Sequence, residues 1–327
     1  MSKSKTNWKN ALLKKGIPLE HEVSKILVDE GFQIETDYPY PRITREGVKD
    51  FSLDIISSKF YHGNGHYFLP IECKYSSPNY KWCFIEHPKK KYLPTSVVKQ
   101  IDLISCGRLE KKLFWTKGLP IYYKNFIIKD GEIDKKTIIE GLMQLKYSLP
   151  QLITNNLSSA SSLLPLGILP FFFCPILITN SELLTLNSEV SMNDIRHNDN
   201  IEDIAIKKKY LIYKLPSYSD FQQHKNHIFM SNRNIIQNKH FQTLGKVIKK
   251  SKYPLSLLSE YNILTGKDSV EPFYNTILIC NIGYLTQLTK RIHKSIIKSM
   301  KNFSVFETWS EYFGKDLGSN YPNKFYY

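Results

Sequence analysis

Two apolar runs lie close together in the first quarter of the chain, FSLDIIS at 51–57 and YFLPIECKY at 67–75. Each is bounded by turn residues, rich in aliphatic and aromatic side chains, and too short for a core helix, so each reads as a strand. The stretch between them ends in Gly63-Asn64-Gly65, which is turn chemistry. Before them, Leu19, Val23, Ile26, Leu27 and Glu30 follow helical spacing, and Gly31 is placed to end that helix. Residues 32–38 then alternate Phe32, Ile34 and Thr36 against polar neighbours. A helical pattern at 95–105 (TSVVKQIDLIS) and a strand pattern at 119–128 (LPIYYKNFII) follow. This order specifies an α/β fold built on a mixed sheet flanked by helices.

At 327 residues the chain holds one large domain or two moderate ones. A helix is expected from 138 up to Leu149-Pro150, and the small polar run NNLSSASS at 155–162 is the best boundary. The division is therefore a core over 1–154 and a further α/β accessory region over 155–327, suited to substrate recognition or assembly. In the second part, 174–179, 209–215 and 275–282 have strand composition. A long helix follows, with Leu285, Leu288, Ile292, Ile296 and Met300 on one stripe and Lys290, Arg291, Lys294, Lys298 and Lys301 off it. No internal repeat is evident. The uncharged run at 162–178 carries Pro165, Pro170 and Pro175, which suits a buried loop entering a core strand and not a membrane span.

Lys+Arg number 45 and Asp+Glu 30, a net charge of +15 that favours polyanionic partners. Hydrophobic residues make up 42% of the chain, enough for a packed core, which excludes a mainly disordered chain. The five cysteines, Cys73, Cys83, Cys106, Cys174 and Cys280, are widely spaced with no C-x-x-C, which argues against a disulfide framework or a structural zinc. With a polar, lysine-rich start in place of a secretory signal, a cytoplasmic setting is expected. No phosphate-binding G-x-x-x-x-G-K-[ST] loop and no nucleophile elbow is present.

The chemistry lies inside the two apolar runs. Asp54 is flanked by Leu53 and Ile55, and Glu72-Cys73-Lys74 sits within LPIECKY. Strand alternation puts Glu72 and Lys74 on one face and Cys73 on the other. Charges in strands this apolar are costly unless paired or metal-bound. If the two strands are hairpin neighbours, two carboxylates and an ammonium converge. Such a set binds Mg²⁺ through hard oxygens, with the Cys73 carbonyl as a further ligand, and suits phosphodiester hydrolysis.

Asp54 followed by Ile71-Glu72-Cys73-Lys74 resembles the PD-(D/E)xK nuclease superfamily, which has the restriction-endonuclease-like fold. The helix at Glu20 with Val23, Ile26, Leu27 and Gly31-Phe32 is similar to the first core helix of its Mrr-like and Holliday-junction-resolvase-like members. No proline precedes Asp54, a departure shared by many members, and Asp50 is the alternative acid. The resemblance covers roughly residues 15–105. It implies a Mg²⁺-dependent DNA endonuclease (Mn²⁺ substituting) in restriction or anti-invader defence, with recombination or repair as the next context. Asp54 and Glu72 would be metal ligands with the Cys73 carbonyl, and Lys74 would orient or activate water. Glu20, with Glu22 as runner-up, would support the metal or its water, and Gln100 is similar to a glutamine that helps hold substrate or water.

Eight basic residues against three acidic ones between Glu86 and Lys117, with Tyr75, Tyr80, Trp82 and Phe84 beside them, suit phosphate contacts and base stacking or, equally, a solvated loop with core aromatics. Lys207-Lys208-Lys209 and 246–252 add positive charge. His62 and His66 are read as a surface loop, and His21 is unassigned. The expected partners are DNA, with RNA open, and a homodimer or a defence complex, but no membrane. The competing class is a non-catalytic nucleic-acid-binding or assembly protein on the same scaffold.

Overall fold

The structure, a computed structural model, describes residues 7–44, 46–61, 65–88, 99–101, 120–129, 132–134, 136–163, 171–231 and 274–300. His62, Cys106, most of the basic segment after Glu86, the middle of the proline-punctuated run and the lysines at 246–252 lie outside these residues.

Helix α1 (Asn7–Lys14) leads into α2 (Ile17–Asp29). Gly16 caps α2 in the left-handed region (φ 80), and Pro18 follows in the first turn. Its end is a Schellman turn. Gly31, at φ 78, donates to the Val28 carbonyl at 2.8 Å, and Phe32 donates to that of Leu27 at 3.0 Å. Leu27 and Phe32 are both buried, which fixes the entry into β1 (Gln33–Thr44).

The chain then runs through β2 (Gly47–Tyr61), β3 (Gly65–Lys74), β4 (Lys81–Glu86), β5 (Lys99–Ile101), β6 (Ile121–Lys129), β7 (Glu132–Asp134) and α3 (Lys136–Leu163). It continues with β8 (Phe171–Phe173), β9 (Ile176–Thr179), β10 (Glu182–Leu186), α4 (Met192–His197), β11 (Ile206–Lys208), β12 (Tyr210–Lys214) and α5 (Ser219–Ser231). The last described elements are β13 (Thr276–Asn281) and α6 (Leu285–Met300). The strands form one mixed sheet, ordered β1-β2-β3-β9-β13-β12-β6-β4-β10-β11, with β8 and β5 extending alongside β3 and β7 on β6. Pro39 and Pro41 lie on β1, which ends this order, and proline blunts an edge by withholding amide donors.

Alternation sorts the core onto two faces. On one, Ile55, Leu69, Ile71, Cys73, Ile176, Ile178, Leu278 and Cys280 pack with α2 and α6. Leu285, Leu288, Ile292 and Ile296 of α6 are all buried, so the expected stripe faces the sheet, while Lys290, Arg291 and Lys294 are exposed. On the other, Leu53, Ile56, Phe68, Leu177, Ile277 and Ile279 pack with α3 and α5. Cys73, Cys83, Cys174 and Cys280 are all buried.

Several expectations are corrected. The helix of 138–150 does not stop at Pro150 but continues to Leu163. A proline inside a helix costs about 3 kcal/mol, but Leu145 and Leu149 before it and Leu152 and Ile153 after it are all buried, and that burial holds the helix straight through. The expected boundary at 154/155 falls within α3, and strands from both sides of it interleave in the sheet. The helix expected over 95–105 has its described residues in β5, where Lys99, Gln100 and Ile101 pair with Phe173, Phe172 and Phe171. β-Branched residues at helical spacing also suit a strand, and the aromatic partner strand decides it. Trp82 and Phe84, read as candidates for stacking on bases, are completely buried, because β4 lies inside the sheet between β6 and β10. No helix among the described residues is long and apolar enough to cross a membrane.

Candidate active site

The β2–β3 ladder runs from Tyr61↔Gly65 to Ile55↔Ile71 and then stops. Beyond it β2 stays with β1, pairing Leu53 with Tyr38, while β3 turns to β9, pairing Glu72 with Leu177 and Lys74 with Thr179. The sheet therefore opens as a fork, with Asp54 on one prong and Glu72-Cys73-Lys74 on the other. Asp54 bridges it. Its Oδ2 accepts from the Cys73 N–H at 2.6 Å. Amide and carbonyl of one strand residue point to the same side, so the Cys73 carbonyl opens into the fork as well. The Cys73 thiol packs on the α2 face.

Glu72 is fully buried, and its Oε1 accepts from Lys74 Nζ at 2.7 Å. Its Oε2 is buried with no hydrogen-bond partner. Burial first, then the neighbouring Asp54 charge, pushes the Glu72 carboxyl up to about 8 against the pull of Lys74. Asp54 is raised too, chiefly by burial and against the Cys73 hydrogen bond. Burial works against the Lys74 ammonium, yet Glu72 and Asp54 outweigh it and leave the pKa raised. Lys74 is therefore a cation at neutral pH and not a base.

Glu20 enters from the first turn of α2. Its Oε1 folds back over Gly16, only 3.1 Å from where a Cβ on that glycine would stand. Burial, then the Asp54 and Asp37 charges, raise its pKa, and Lys74 lowers it. Glu20 thus shares one electrostatic field with Asp54 and Lys74. Glu22 and Asp50, the alternatives, are exposed, and Asp50 sits farther along β2 opposite Pro41.

Three residues of the site were not picked out from the sequence. Lys74 Nζ also donates to Gln144 Oε1 on α3 at 2.9 Å. Gln144 is thus the glutamine beside the lysine, whereas Gln100 has its backbone on β5 and its side chain lies outside the described residues. One turn earlier, Gly141 lets α3 lie against the lysine: a Cβ there would stand 2.7 Å from Leu177 Cδ1 and 3.1 Å from Lys74 Cε. The signal for both is a glycine and a glutamine three apart on a helix whose other inward positions are apolar. Asp37, in the left-handed region at φ 53, interrupts the β1–β2 ladder between Thr36↔Ile55 and Tyr38↔Leu53, across from Asp54. Its charge acts on both Glu20 and Asp54.

Among the described residues no three His, Cys, Asp or Glu side chains are gathered closely enough to hold a metal by themselves. Two carboxylates with a main-chain carbonyl suit Mg²⁺, which keeps several waters. The donors are hard oxygens, and the unpartnered Glu72 Oε2 is a buried acceptor that a cation would satisfy. The residues fit a divalent cation as an open site and not as a closed cage. His66 is not beside them but stacks on Phe60 at 3.8 Å. Comparison with protein-family models, with curated proteins and with solved structures gives no match, so any functional reading rests on this geometry.

Proposed function

We propose that the chain is a Mg²⁺-dependent endonuclease of the PD-(D/E)xK type, with a restriction-endonuclease-like core, that hydrolyses DNA phosphodiester bonds in restriction or anti-invader defence. The observation that carries it is the fork. Asp54 on one prong faces a buried Glu72 paired with a half-buried Lys74 on the other, and Glu72 keeps one buried oxygen without a partner.

Asp54, Glu72 and the Cys73 carbonyl would hold the cation, which would supply Lewis acidity toward the phosphate and its attacking water. Lys74, held cationic between Glu72 and Gln144, donates to a non-bridging phosphate oxygen and offsets charge gathering there. Glu20, its pKa raised by burial and then by the Asp54 and Asp37 charges, takes the proton as water adds to phosphorus. The bond to the leaving oxygen then breaks, and that oxygen is protonated from solvent. Lys290, Arg291 and Lys294 on the outer face of α6, together with the net charge of +15, support a polyanionic substrate.

The test is incubation of purified protein with methylated plasmid, unmethylated plasmid and RNA, with and without Mg²⁺. Cleavage that needs Mg²⁺ and disappears in Asp54→Ala and Lys74→Ala, with DNA binding retained, is the expected result. Retained DNA binding with no cleavage by wild-type protein on any substrate assigns the chain to the non-catalytic binding class.

A further inference from the structure

One buried group on which the Glu72 charge acts is not used by the reaction. Tyr40 on β1 pairs with Phe51 on β2, stacks on that ring at 6.1 Å, and is 1% exposed. Its hydroxyl is buried with no hydrogen-bond partner, as is Glu72 Oε2. Of the charged groups acting on that hydroxyl, Glu72 is the strongest, ahead of Arg42 and Asp54. A tyrosine hydroxyl can donate, and an ionised carboxylate oxygen has two lone pairs to accept with. Leaving either group buried and unmatched is costly, because the lost hydrogen bonds to water are not replaced. A donor and an acceptor of this kind, each orphaned and both acted on by the Asp54 charge, complement each other.

We infer that Tyr40 is a positioning residue for Glu72: its hydroxyl donates to Oε2 through one enclosed water and fixes the carboxylate while leaving that oxygen's second lone pair to a divalent cation. The inference rests on the nuclease reading of the fork. It follows the general pattern in which carboxylates that bind metal are themselves held by hydrogen bonds from behind. β1 thereby takes part in the site although none of its side chains need touch the substrate.

Tyr40→Phe deletes a single atom and keeps the ring on Phe51. A matched control is Tyr38→Phe on the same strand, since the Tyr38 hydroxyl accepts from Asn155 Nδ2 at 2.7 Å and faces elsewhere. Mn²⁺ binding is measured on the full chain by electron paramagnetic resonance of the free ion, with thermal unfolding in parallel. Tyr40→Phe is expected to weaken Mn²⁺ binding by about 10–100-fold and to move the Mg²⁺ dependence of cleavage to higher concentration. Tyr38→Phe is expected to lower the melting temperature with unchanged Mn²⁺ affinity. If Tyr40→Phe binds Mn²⁺ as wild type does, whatever its stability, the hydroxyl does not position Glu72 for the cation and the inference is overturned, while the nuclease reading stands. If wild-type protein binds no Mn²⁺, both fall together.

Discussion

Replacing Gly141 with alanine sets two opposed magnitudes against each other. In a helix interior alanine is favoured over glycine by roughly 1 kcal/mol, so a glycine with free space around it would gain from the change. At 141 the new methyl would stand 2.7 Å from Leu177 Cδ1 and 3.1 and 3.2 Å from Cε and Cγ of Lys74. Leu177 is fully buried on β9, between β3 and β13, and has nowhere to retreat. Overpacking of this kind costs about 1–3 kcal/mol, which leaves a net loss of roughly 0–2 kcal/mol once the propensity gain is set against it. For a chain this size that lowers the melting temperature by at most about 5 °C. Under the proposed nuclease reading, the larger effect falls on cleavage. The stem of Lys74 must yield, and its ammonium then leaves Glu72 Oε1 or Gln144 Oε1, the acceptors it holds at 2.7 and 2.9 Å. A hydrogen bond to a charged group contributes about 1.5–3 kcal/mol, so single-turnover cleavage of supercoiled plasmid should slow by about 10–100-fold. Gly141→Ala with wild-type rate and wild-type stability would refute the claim that α3 is fitted to the lysine.

Two further outcomes follow from buried charge. Glu72→Gln removes a carboxylate that burial and Asp54 both oppose, while the new amide oxygen can still accept from Lys74. In metal-free buffer at pH 8 this variant should be about 1–3 kcal/mol more stable than wild type in denaturant titrations, yet inactive; a variant less stable than wild type would contradict the account of Glu72. His224, fully buried against the Tyr147 carbonyl at 2.9 Å, has its pKa lowered to about 4, chiefly by burial, and His66 is lowered to about 4 in the same way. As pH falls below 6.5 the unfolded chain takes up protons that the folded one refuses, so stability drops between pH 6.5 and 4, by up to about 3 kcal/mol per histidine. His224→Gln should flatten that slope in denaturation measured at pH 7, 5.5 and 4.5, and an unchanged slope would show that His224 does not set it.

The parts of the molecule legible in the sequence are those where one local pattern meets no competitor. The α2 stop at Gly31 follows from a glycine at the left-handed position, and the α6 stripe from four aliphatics at helical spacing. The strands carrying Asp54 and Glu72 follow from apolar runs too short for helices. What stayed hidden depends on distant partners. Pro150 reads locally as a stop, and only the burial of leucines on both sides of it keeps the helix going. Gln100 sits in a window of helical spacing, but its neighbours are Phe171 to Phe173, far along the chain. Gln144 carries no local sign of its contact with Lys74, because that contact spans 70 residues and exists only once α3 packs over β3. The aromatics that follow β3 look like a stacking surface until strand order places Trp82 and Phe84 inside the sheet.

The choice between a catalyst and a passive binding scaffold turns on what the fork costs. An edge-strand Glu–Lys pair in solvent contributes little, about 0–1 kcal/mol, and asks for nothing else nearby. Here Glu72 is fully buried, Asp54 stands beside it, and the charges of Glu20 and Asp37 reach the same space, with Lys74 the one cation in direct contact among the described residues. Raising a carboxyl from 4.5 to about 8 makes its ionised form unfavourable by several kcal/mol. A surface that only binds DNA gains nothing from this, since anionic side chains repel phosphate and well-packed apolar residues of the same size are commonly as stable or more so. Carboxylates crowded at such expense, with a cation at neutral pH set among them, are arranged as charge that a metal ion and a phosphate would complete. The stability gained by Glu72→Gln and the catalysis it loses are therefore two measurements of one arrangement, and they should move in opposite directions.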